Sequence, residues 1–266
     1  MTVDLHIHST FSDGTLTPRE IVERAKERNV GRIAVCDHNV VEGSLAAEPL
    51  ARAAGLRFVP GVEIDSMLLG ADAHILCYGA DFSSPELMEL IRDARARLDD
   101  MSDRLLDKML ADFPQLSAEE YAAMPMDHRQ GGWKLLQYLK NKGLTRALKD
   151  ALPYYGRYGV TYEGAGFRSA EDVARAIHAA GGRAVLAHPG VTFGEKTFIA
   201  LEVAREMGMD GVECCYPKHS PELTKRLLGF CAEHGLWTTA GSDCHGAFGS
   251  ADVGETRTPE EALRLW

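Results

Sequence analysis

The stretch VDLHIHSTFSDGTLTPREIVERAKERN, residues 3–29, decides how the rest of the chain is interpreted. Val3–His8 reads as a short β-strand. A helix should follow, because Thr17 is a good N-cap and Pro18 suits the first helical position. This helix is predicted to run to about Asn29. The chain therefore begins with a strand that leads into a helix.

The same alternation continues through the first eighty residues and returns late in the chain. Further strands are predicted at 32–36, 57–63, 73–78, 183–187, 210–215 and 236–240. Helices are predicted at 43–54, 170–180, 196–207 and 221–234. Seven strands alternating with helices predict parallel βα units, either closed as a barrel or wound as an open sheet.

Residues 84–168 interrupt this alternation, because they carry no strand signal. Apolar residues recur from Leu87 to Met109 at alternating spacings of four and three, which predicts one long amphipathic helix. An inserted helical segment suggests a cap over one end of the βα scaffold. A helix that only packs on the outside fits the pattern equally well.

Composition excludes several classes of protein. The chain has 266 residues and a formal net charge of -10, which disfavours broad electrostatic binding to long nucleic acids or anionic membranes. No apolar run is long enough to cross a bilayer, and the N-terminus does not resemble a secretory signal. Six cysteines without a CxxC pair indicate reduced thiols, so we expect a cytoplasmic protein.

Histidines and carboxylates fall at the predicted strand ends. His6 and His8 are two residues apart on one strand, so their side chains share a face. In a barrel, the carboxyl ends of the strands converge on one rim, where active sites lie. A single histidine at a strand end is usually structural, but the whole set favours a metal site. The candidate ligands are His6, His8, Asp13, His38, Glu63, His74, His188, Asp243 and His245.

Nine candidates exceed the three protein ligands that a single catalytic zinc uses, so we expect two or three divalent ions. Glu63 is the carboxylate best suited to bridge two of them. Three such ions would leave a local positive charge that can bind phosphate in spite of the negative net charge. The mixture of imidazole and carboxylate suits Mn²⁺, Fe²⁺ and Zn²⁺ alike.

In their order along the chain, these motifs resemble those of the PHP (polymerase and histidinol phosphatase) family of phosphoesterases, within the amidohydrolase superfamily. The resemblance covers about residues 1–80 and 167–250. The motifs that carry it are His6-Ile-His8-Ser-Thr-Phe-Ser-Asp13-Gly, Cys36-Asp37-His38-Asn39, Gly61-Val-Glu63, His74-Ile-Leu, Gly181-Gly-Arg-Ala-Val-Leu-Ala-His188-Pro189 and Gly241-Ser-Asp243-Cys-His245.

The resemblance implies an α/β fold, a distorted (β/α)7 barrel with an inserted helical cap domain. The barrel would comprise residues 1–83 and 167–266, and the cap residues 84–166. The implied ligand sets are three: His6, His8, Glu63 and Asp243; Glu63, His74 and His188; and Asp13, His38 and His245.

The resemblance also implies metal-assisted hydrolysis, in which a hydroxide bridging two ions attacks phosphorus. Asp243, Glu63 and His188 are the expected catalytic residues. The general acid is not identified from the sequence; Asp243 and a metal-bound water are the candidates.

Cationic side chains outside the set of metal ligands are expected to determine which substrate binds. Lys218 and His219 follow a predicted strand, in a segment that similar family members use to bind phosphate. Lys134 and Arg157 lie in the insert and are further candidates, although cations in such a segment are more often solvated surface residues. Residues 128–134 differ from the Arg-Pro-His-like sequence usual in family members that act on nucleoside 3',5'-bisphosphates.

We therefore expect a small phosphorylated substrate and inorganic phosphate as a product. The favoured activity is a cyclic phosphodiesterase acting on ribose 5-phosphate 1,2-cyclic phosphate. The alternatives are a nucleoside 3',5'-bisphosphate phosphatase, a 5'-3' exonuclease on short 5'-phosphorylated oligonucleotides, and an inactive metal-stabilised binding module. The remaining histidines are expected to be structural or superficial: His128, His178 and His234.

Overall fold

A computed structural model describes residues 1–265 as a mixed α/β fold. Eight strands form two sheets, one in the order β1-β2-β3 and the other in the order β4-β5-β6-β7-β8. The strands are β1 (Thr2–Ile7), β2 (Val30–Val35), β3 (Arg57–Phe58), β4 (Gly61–Leu68), β5 (Ala71–Tyr78), β6 (Arg183–Leu186), β7 (Gly211–Cys215) and β8 (Trp237–Ala240).

Helices cover the sheets and fill the segment between β5 and β6. They are α1 (Pro18–Glu27), α2 (Glu42–Ala53), α3 (Pro85–Met109), α4 (Ala118–Ala123), α5 (Lys134–Asn141), α6 (Leu152–Arg157), α7 (Tyr162–Ala165), α8 (Ala170–Ala179), α9 (Pro189–Phe193), α10 (Thr197–Glu206) and α11 (Pro221–His234). Among the described residues, no helix combines the length and the apolar character needed to cross a membrane.

The predicted start of α1 is confirmed. The Thr17 hydroxyl accepts a hydrogen bond from the backbone N–H of Glu20, and the Glu20 carboxylate accepts one from the backbone N–H of Thr17. This reciprocal pair is a capping box, which satisfies two backbone donors that the first helical turn leaves unpaired. It fixes the exit of the loop that carries Asp13.

The prediction of an all-parallel arrangement is wrong in the second sheet. β5 runs antiparallel to both of its neighbours, β4 and β6. The two residues between β4 and β5, Leu69 and Gly70, have φ angles of 54° and 75°. Positive φ at both central residues is the geometry of a two-residue hairpin turn, which reverses the chain without a crossover helix. The predicted strand at 57–63 also divides, into β3 and the first part of β4.

This reversal explains the position of His74. His74 lies in the first half of β5, whereas the other candidate ligands follow the ends of parallel strands. Because β5 is antiparallel, its first half lies beside the carboxyl ends of its neighbours. The hairpin register pairs His74 with Asp65 and Leu76 with Glu63.

The two sheets meet at the edge that carries the candidate ligands. Isolated bridges join Ile7 to Cys244 and His38 to Glu63, both in parallel orientation. The backbone N–H of Asp243 also donates to the carbonyl of His6 at 2.8 Å. Ladder hydrogen bonds do not close the described strands into one continuous barrel. The sheets are nevertheless held together at the ligands themselves.

The segment from 84 to 166 is helical, as predicted, and its long helix is α3. Buried side chains of α3 and α5 share one hydrophobic cluster with β4, β5 and α8. The described part of this segment therefore packs on the second sheet through a common core.

Candidate metal centre

Four side-chain atoms converge between β1, β4 and the loop after β8. The Nε2 atoms of His6 and His8 each lie 3.2 Å from Oε2 of Glu63. Oδ1 of Asp243 is 3.2 Å from Nε2 of His8 and 3.6 Å from Nε2 of His6. These residues are the first predicted ligand set, and the structure brings them together.

The chemistry of this group suits a divalent cation. The Nε2 atoms of His6 and His8 face each other at 3.0 Å, so either one ring donates a proton to the other or both direct lone pairs at a shared cation. Among the described residues, Oε2 of Glu63 and Nδ1 of His8 are buried without a hydrogen-bond partner. Buried polar atoms are normally paired, so the orphaned carboxylate oxygen of Glu63 indicates a missing positive partner. A metal ion held by imidazole and carboxylate would satisfy this oxygen together with the Nε2 atoms of His6 and His8, and Nδ1 of His8 would then carry the N–H of the ring.

The other two predicted sets also assemble. Oε1 of Glu63 lies 3.1 Å from Nδ1 of His74 and 3.2 Å from Nε2 of His188. Glu63 thus turns one carboxylate oxygen to the first set and the other to the second, as a bridging ligand must.

The third set forms around the loop after β1. Nε2 of His245 is 3.2 Å from Oδ2 of Asp13, and Nδ1 of His8 is 3.5 Å from Oδ1 of the same carboxylate. Ligand atoms of His8, Asp13, His38 and His245 all lie within 4.8 Å of one another. The imidazole of His8 therefore lies between the first and third sets.

In this cluster, neighbouring negative charges raise the pKa values of histidines by more than burial lowers them. Burial disfavours the charged form of His6, but Glu63 and Glu213 hold its pKa well above the ordinary value. Burial acts in the same way on His245, where the negative charges nearby, Asp13 foremost, raise the pKa to about 9. In the metal-free protein, protons would occupy the space between imidazoles and carboxylates. Metal binding would displace them.

Two carboxylates were not predicted from the sequence. Glu213 on β7 is completely buried; its Oε1 accepts from Nδ1 of His6 at 3.1 Å and its Oε2 accepts from the backbone N–H of His188 at 2.9 Å. Asp65 on β4 is equally buried and lies against His38 and His74. The signal for Asp65 was its position two residues after Glu63, on the same face of a strand. The signal for Glu213 was a charged residue inside a strand that should be buried.

We expect Glu213→Gln to weaken the binding of divalent cations by about 10- to 100-fold, because partners that orient metal-ligating histidines have effects of this size. Titration of chelator-treated protein with Mn²⁺ by calorimetry measures it. Asp210→Asn is the matched control, since Asp210 also accepts from a histidine, His178, and from a backbone N–H, that of Ala184, both at 2.8 Å. An equal loss of Mn²⁺ affinity in both variants would show that the effect does not come from the contact between Glu213 and His6.

The predicted phosphate-binding residues after β7 lie in different surroundings. Lys218 lines a cavity of about 270 Å³ together with Asp243, His245 and Lys149. His219 is buried: Nδ1 lies 3.1 Å from the carbonyl of Cys214, and Nε2 accepts from the backbone N–H of Gly190 at 3.2 Å. Both nitrogens of His219 are thus engaged by the backbone, which leaves neither for a phosphate in this arrangement.

The helical segment between β5 and β6 brings a different side chain to the candidate ligands. The ring of Trp133 lies 5.9 Å from that of His38. Lys134 turns away, donating to the carbonyl of Ala122 at 3.1 Å. Arg157 is exposed at the end of α6.

Comparison with known proteins gives one family and several activities. The family model described as PHP domain matches residues 4–155. The 5'-3' exoribonuclease Rnm of Escherichia coli (strain K12) is 30% identical over 251 residues, covering 91% of this chain and 84% of the relative. The phosphoribosyl 1,2-cyclic phosphate 1,2-diphosphodiesterase of Eggerthella lenta is 30% identical over 258 residues, covering 94% of this chain and 96% of the relative.

A third relative adds another activity, and a solved structure supports the fold. The 3',5'-nucleoside bisphosphate phosphatase of Chromobacterium violaceum is 29% identical over 288 residues, covering 99% of this chain and 95% of the relative. A Bifidobacterium adolescentis protein described as a metal-dependent phosphoesterase superposes with a TM-score of 0.80 at 26% identity, covering 98% of this chain and 93% of the other.

Proposed function

The chain belongs to the PHP domain family and is a metal-dependent phosphoesterase, and from that premise we propose that it hydrolyses a small phosphate ester carrying a second phosphate group. We favour ribose 5-phosphate 1,2-cyclic phosphate, with cleavage continuing to inorganic phosphate. The cavity beside Asp243 and His245 is the observation that carries this proposal, because it combines two lysines with two candidate metal ligands.

Two lysines line this cavity, and the acidic residue Glu255 in the same lining is paired with Arg28 at 3.7 Å, so the lysines remain to attract an anion. The Nζ atom of Lys149 lies over the ring of Phe248 at 4.9 Å, and that of Lys218 lies over the ring of Tyr216 at 5.8 Å. An aromatic face holds a cation without neutralising it, so both ammonium groups keep charge to offer to a phosphate. The volume of about 270 Å³ is suited to a sugar phosphate rather than to an oligonucleotide.

The reacting phosphate would lie at the converging carboxylates and imidazoles. Divalent ions bound there supply an activated water and neutralise charge on the phosphoryl oxygens. The chain's own contribution is orientation. The Tyr216 hydroxyl donates to Oδ2 of Asp243 at 2.9 Å, which leaves Oδ1 directed towards the two histidines. Lys149 and Lys218 would bind the second phosphate. This contact would set the distance between the reacting ester and Glu63.

Three finer features complete the proposal. We infer that the ions are two or three in number and are Mn²⁺, Fe²⁺ or Zn²⁺, and that the two sheets are the halves of a distorted (β/α)7 barrel. The interstrand bridges at Ile7 and His38 support the barrel. Residues 84–166 would be the cap, an assignment supported by the approach of Trp133 to His38.

One observation favours a nucleotide as the second candidate substrate. A cavity of about 450 Å³ has aromatic walls formed by Trp133, Tyr155 and Tyr162. Tyr162 also lies near the metal centre, with its ring 6.3 Å from that of His74. Aromatic walls of this kind can stack on a base. A nucleoside 3',5'-bisphosphate would place its base there.

The test compares phosphate released by Mn²⁺-loaded protein from ribose 5-phosphate 1,2-cyclic phosphate and from a nucleoside 3',5'-bisphosphate. Strong release from the cyclic ester supports the favoured activity, whereas strong release from the nucleotide alone supports the second. Inhibition of either reaction by short 5'-phosphorylated oligonucleotides would point to the exonuclease instead.

The two lysines give a sharper prediction. Lys149→Ala and Lys218→Ala should each raise KM for the preferred substrate by about tenfold, the effect of losing about 1.4 kcal/mol of binding. Hydrolysis of phenyl phosphate, which has no second phosphate, should be unchanged, and Lys140→Ala on α5 serves as the control variant. If KM rose equally for both substrates, the lysines would not be binding a second phosphate.

A further inference from the structure

Asp65 is a buried carboxylate beside the metal centre that belongs to none of the three predicted ligand sets. Its Oδ1 atom lies 3.2 Å from Nδ1 of His38 and 3.3 Å from Nε2 of His74. The two histidines come from different predicted sets. Asp65 thus joins histidines of two sets, and Nδ1 of His38 also lies 3.4 Å from Oε2 of Glu63.

The two nitrogens of His74 have separate neighbours. Nδ1 faces Oε1 of Glu63 at 3.1 Å, in the second ligand set, while Nε2 faces Asp65. A neutral imidazole has one N–H and one lone pair. If Nε2–H donates to Asp65, the lone pair of Nδ1 is directed towards Glu63, where an ion would lie. The same reasoning for His38 places the N–H at Nδ1 and leaves Nε2 for an ion.

The hydrogen bonds of Asp65 favour the role of an acceptor over that of a ligand. Its Oδ2 accepts from Nδ2 of Asn39 at 2.5 Å, and its Oδ1 lies at hydrogen-bonding distance, 3.2 Å, from Nδ1 of His38. An ionised carboxylate offers about four lone-pair positions. These two donors already engage both oxygens of Asp65. Because His38, Asp65 and His74 could also hold an ion between them, counting the bound ions distinguishes an acceptor from a ligand.

Asn39 ties this carboxylate to the backbone that carries His38. Oδ1 of Asn39 accepts from the backbone N–H of Asp65 at 3.0 Å, while its amide donates back to the carboxylate. Asn39 has a φ of 53°, a left-handed conformation that asparagine tolerates better than most residues. The reciprocal pair holds His38, its neighbour in the chain, at a fixed distance from β4.

We propose that Asp65 is a positioning residue that sets the tautomers of His38 and His74 and thereby links two metal positions. The inference rests on the proposed metal centre. Replacement of Asp65 should lower the metal affinity of two sites together without abolishing binding at either. Removal of a carboxylate that accepts a hydrogen bond from a metal-ligating histidine typically lowers metal affinity by about 10- to 100-fold.

The experiment is a Mn²⁺ titration of the chelator-stripped full chain, with bound ions counted by elemental analysis at saturation. Asp65→Asn should bind as many ions as the unsubstituted protein, with two of them weakened by about 10- to 100-fold. Asp72→Asn, an exposed position on the same hairpin, is the matched control and should match the unsubstituted protein. Loss of one ion with unchanged affinity for the rest would make Asp65 a ligand and overturn the proposal, as would unchanged affinity for every ion.

Two further measurements keep the test independent of folding. Asn39→Gly preserves the left-handed backbone while removing the support of Asp65, so it should weaken the same two ions to a smaller extent. In the Zn²⁺-loaded protein, ¹H–¹⁵N NMR should find the proton of His74 on Nε2 in the unsubstituted chain and a mixture of tautomers in Asp65→Asn. If the unsubstituted chain binds no divalent ion, the metal centre itself fails; if it binds ions that Asp65→Asn binds equally well, only this inference fails.

Discussion

Asp243→Asn should lower the rate of phosphate release by about a thousandfold or more, since an ion at such a site supplies several kcal/mol of transition-state stabilisation. Oδ1 of Asp243 lies 3.2 Å from Nε2 of His8, on the side where the first predicted set converges. An amide keeps the shape of the side chain but removes its negative charge. His6→Asn should have the same effect, because His6 belongs to the same set. Phosphate release and bound metal are measured together.

The controls for this experiment come from histidines outside the cluster. His178 pairs with Asp210, and His234 packs against Phe230 with ring centroids 4.4 Å apart. His178→Gln and His234→Gln should change activity by no more than a few-fold. Full metal content and full rate in Asp243→Asn or His6→Asn would place the metal centre elsewhere.

The sequence was sufficient to predict most of the candidate ligands, because strand ends are visible in it. His6 and His8 share a strand face by their spacing, and Asp243 and His245 follow a strand of clear apolar character. These positions depend only on local periodicity. The structure adds the distances between them, which depend on how the sheets meet and which no local pattern contains.

The reversal at β5 could not be predicted with the same rules. Its turn consists of Leu69 and Gly70, and leucine is not a residue that usually marks a left-handed turn position. The sequence pattern therefore predicts a strand that ends at Glu63, whereas β4 continues to Leu68. Asp65 was missed for this reason alone. Glu213 was missed for a different one, since a buried carboxylate needs partners that only the tertiary structure brings to it.

Removal of the metal ions should abolish phosphate release, leave the secondary structure intact and lower the melting temperature. Each ion held at a hundred times its Kd stabilises the folded state by about 2.7 kcal/mol, so two ions would contribute about 5 kcal/mol. For a chain of this size that corresponds to roughly 10–20 °C. Circular dichroism of chelator-treated protein, before and after Mn²⁺ is restored, measures the secondary structure and the melting temperature. Undiminished phosphate release without ions would contradict the metal-dependent mechanism.

The metal-free protein should also become less stable as the pH rises from about 6.5 to about 9. The pKa of His245 is raised to about 9 because negative charges, those of Asp13 and Asp243 foremost, outweigh the effect of burial. A group whose pKa is raised on folding contributes stability below its unfolded pKa of about 6.5, and this contribution is lost as the pH passes the folded value. In the loaded protein the ion replaces the proton, so its melting temperature should fall less over the same range. The difference between the two forms should therefore widen with pH; a constant difference would show that protons and metal ions do not compete for His245.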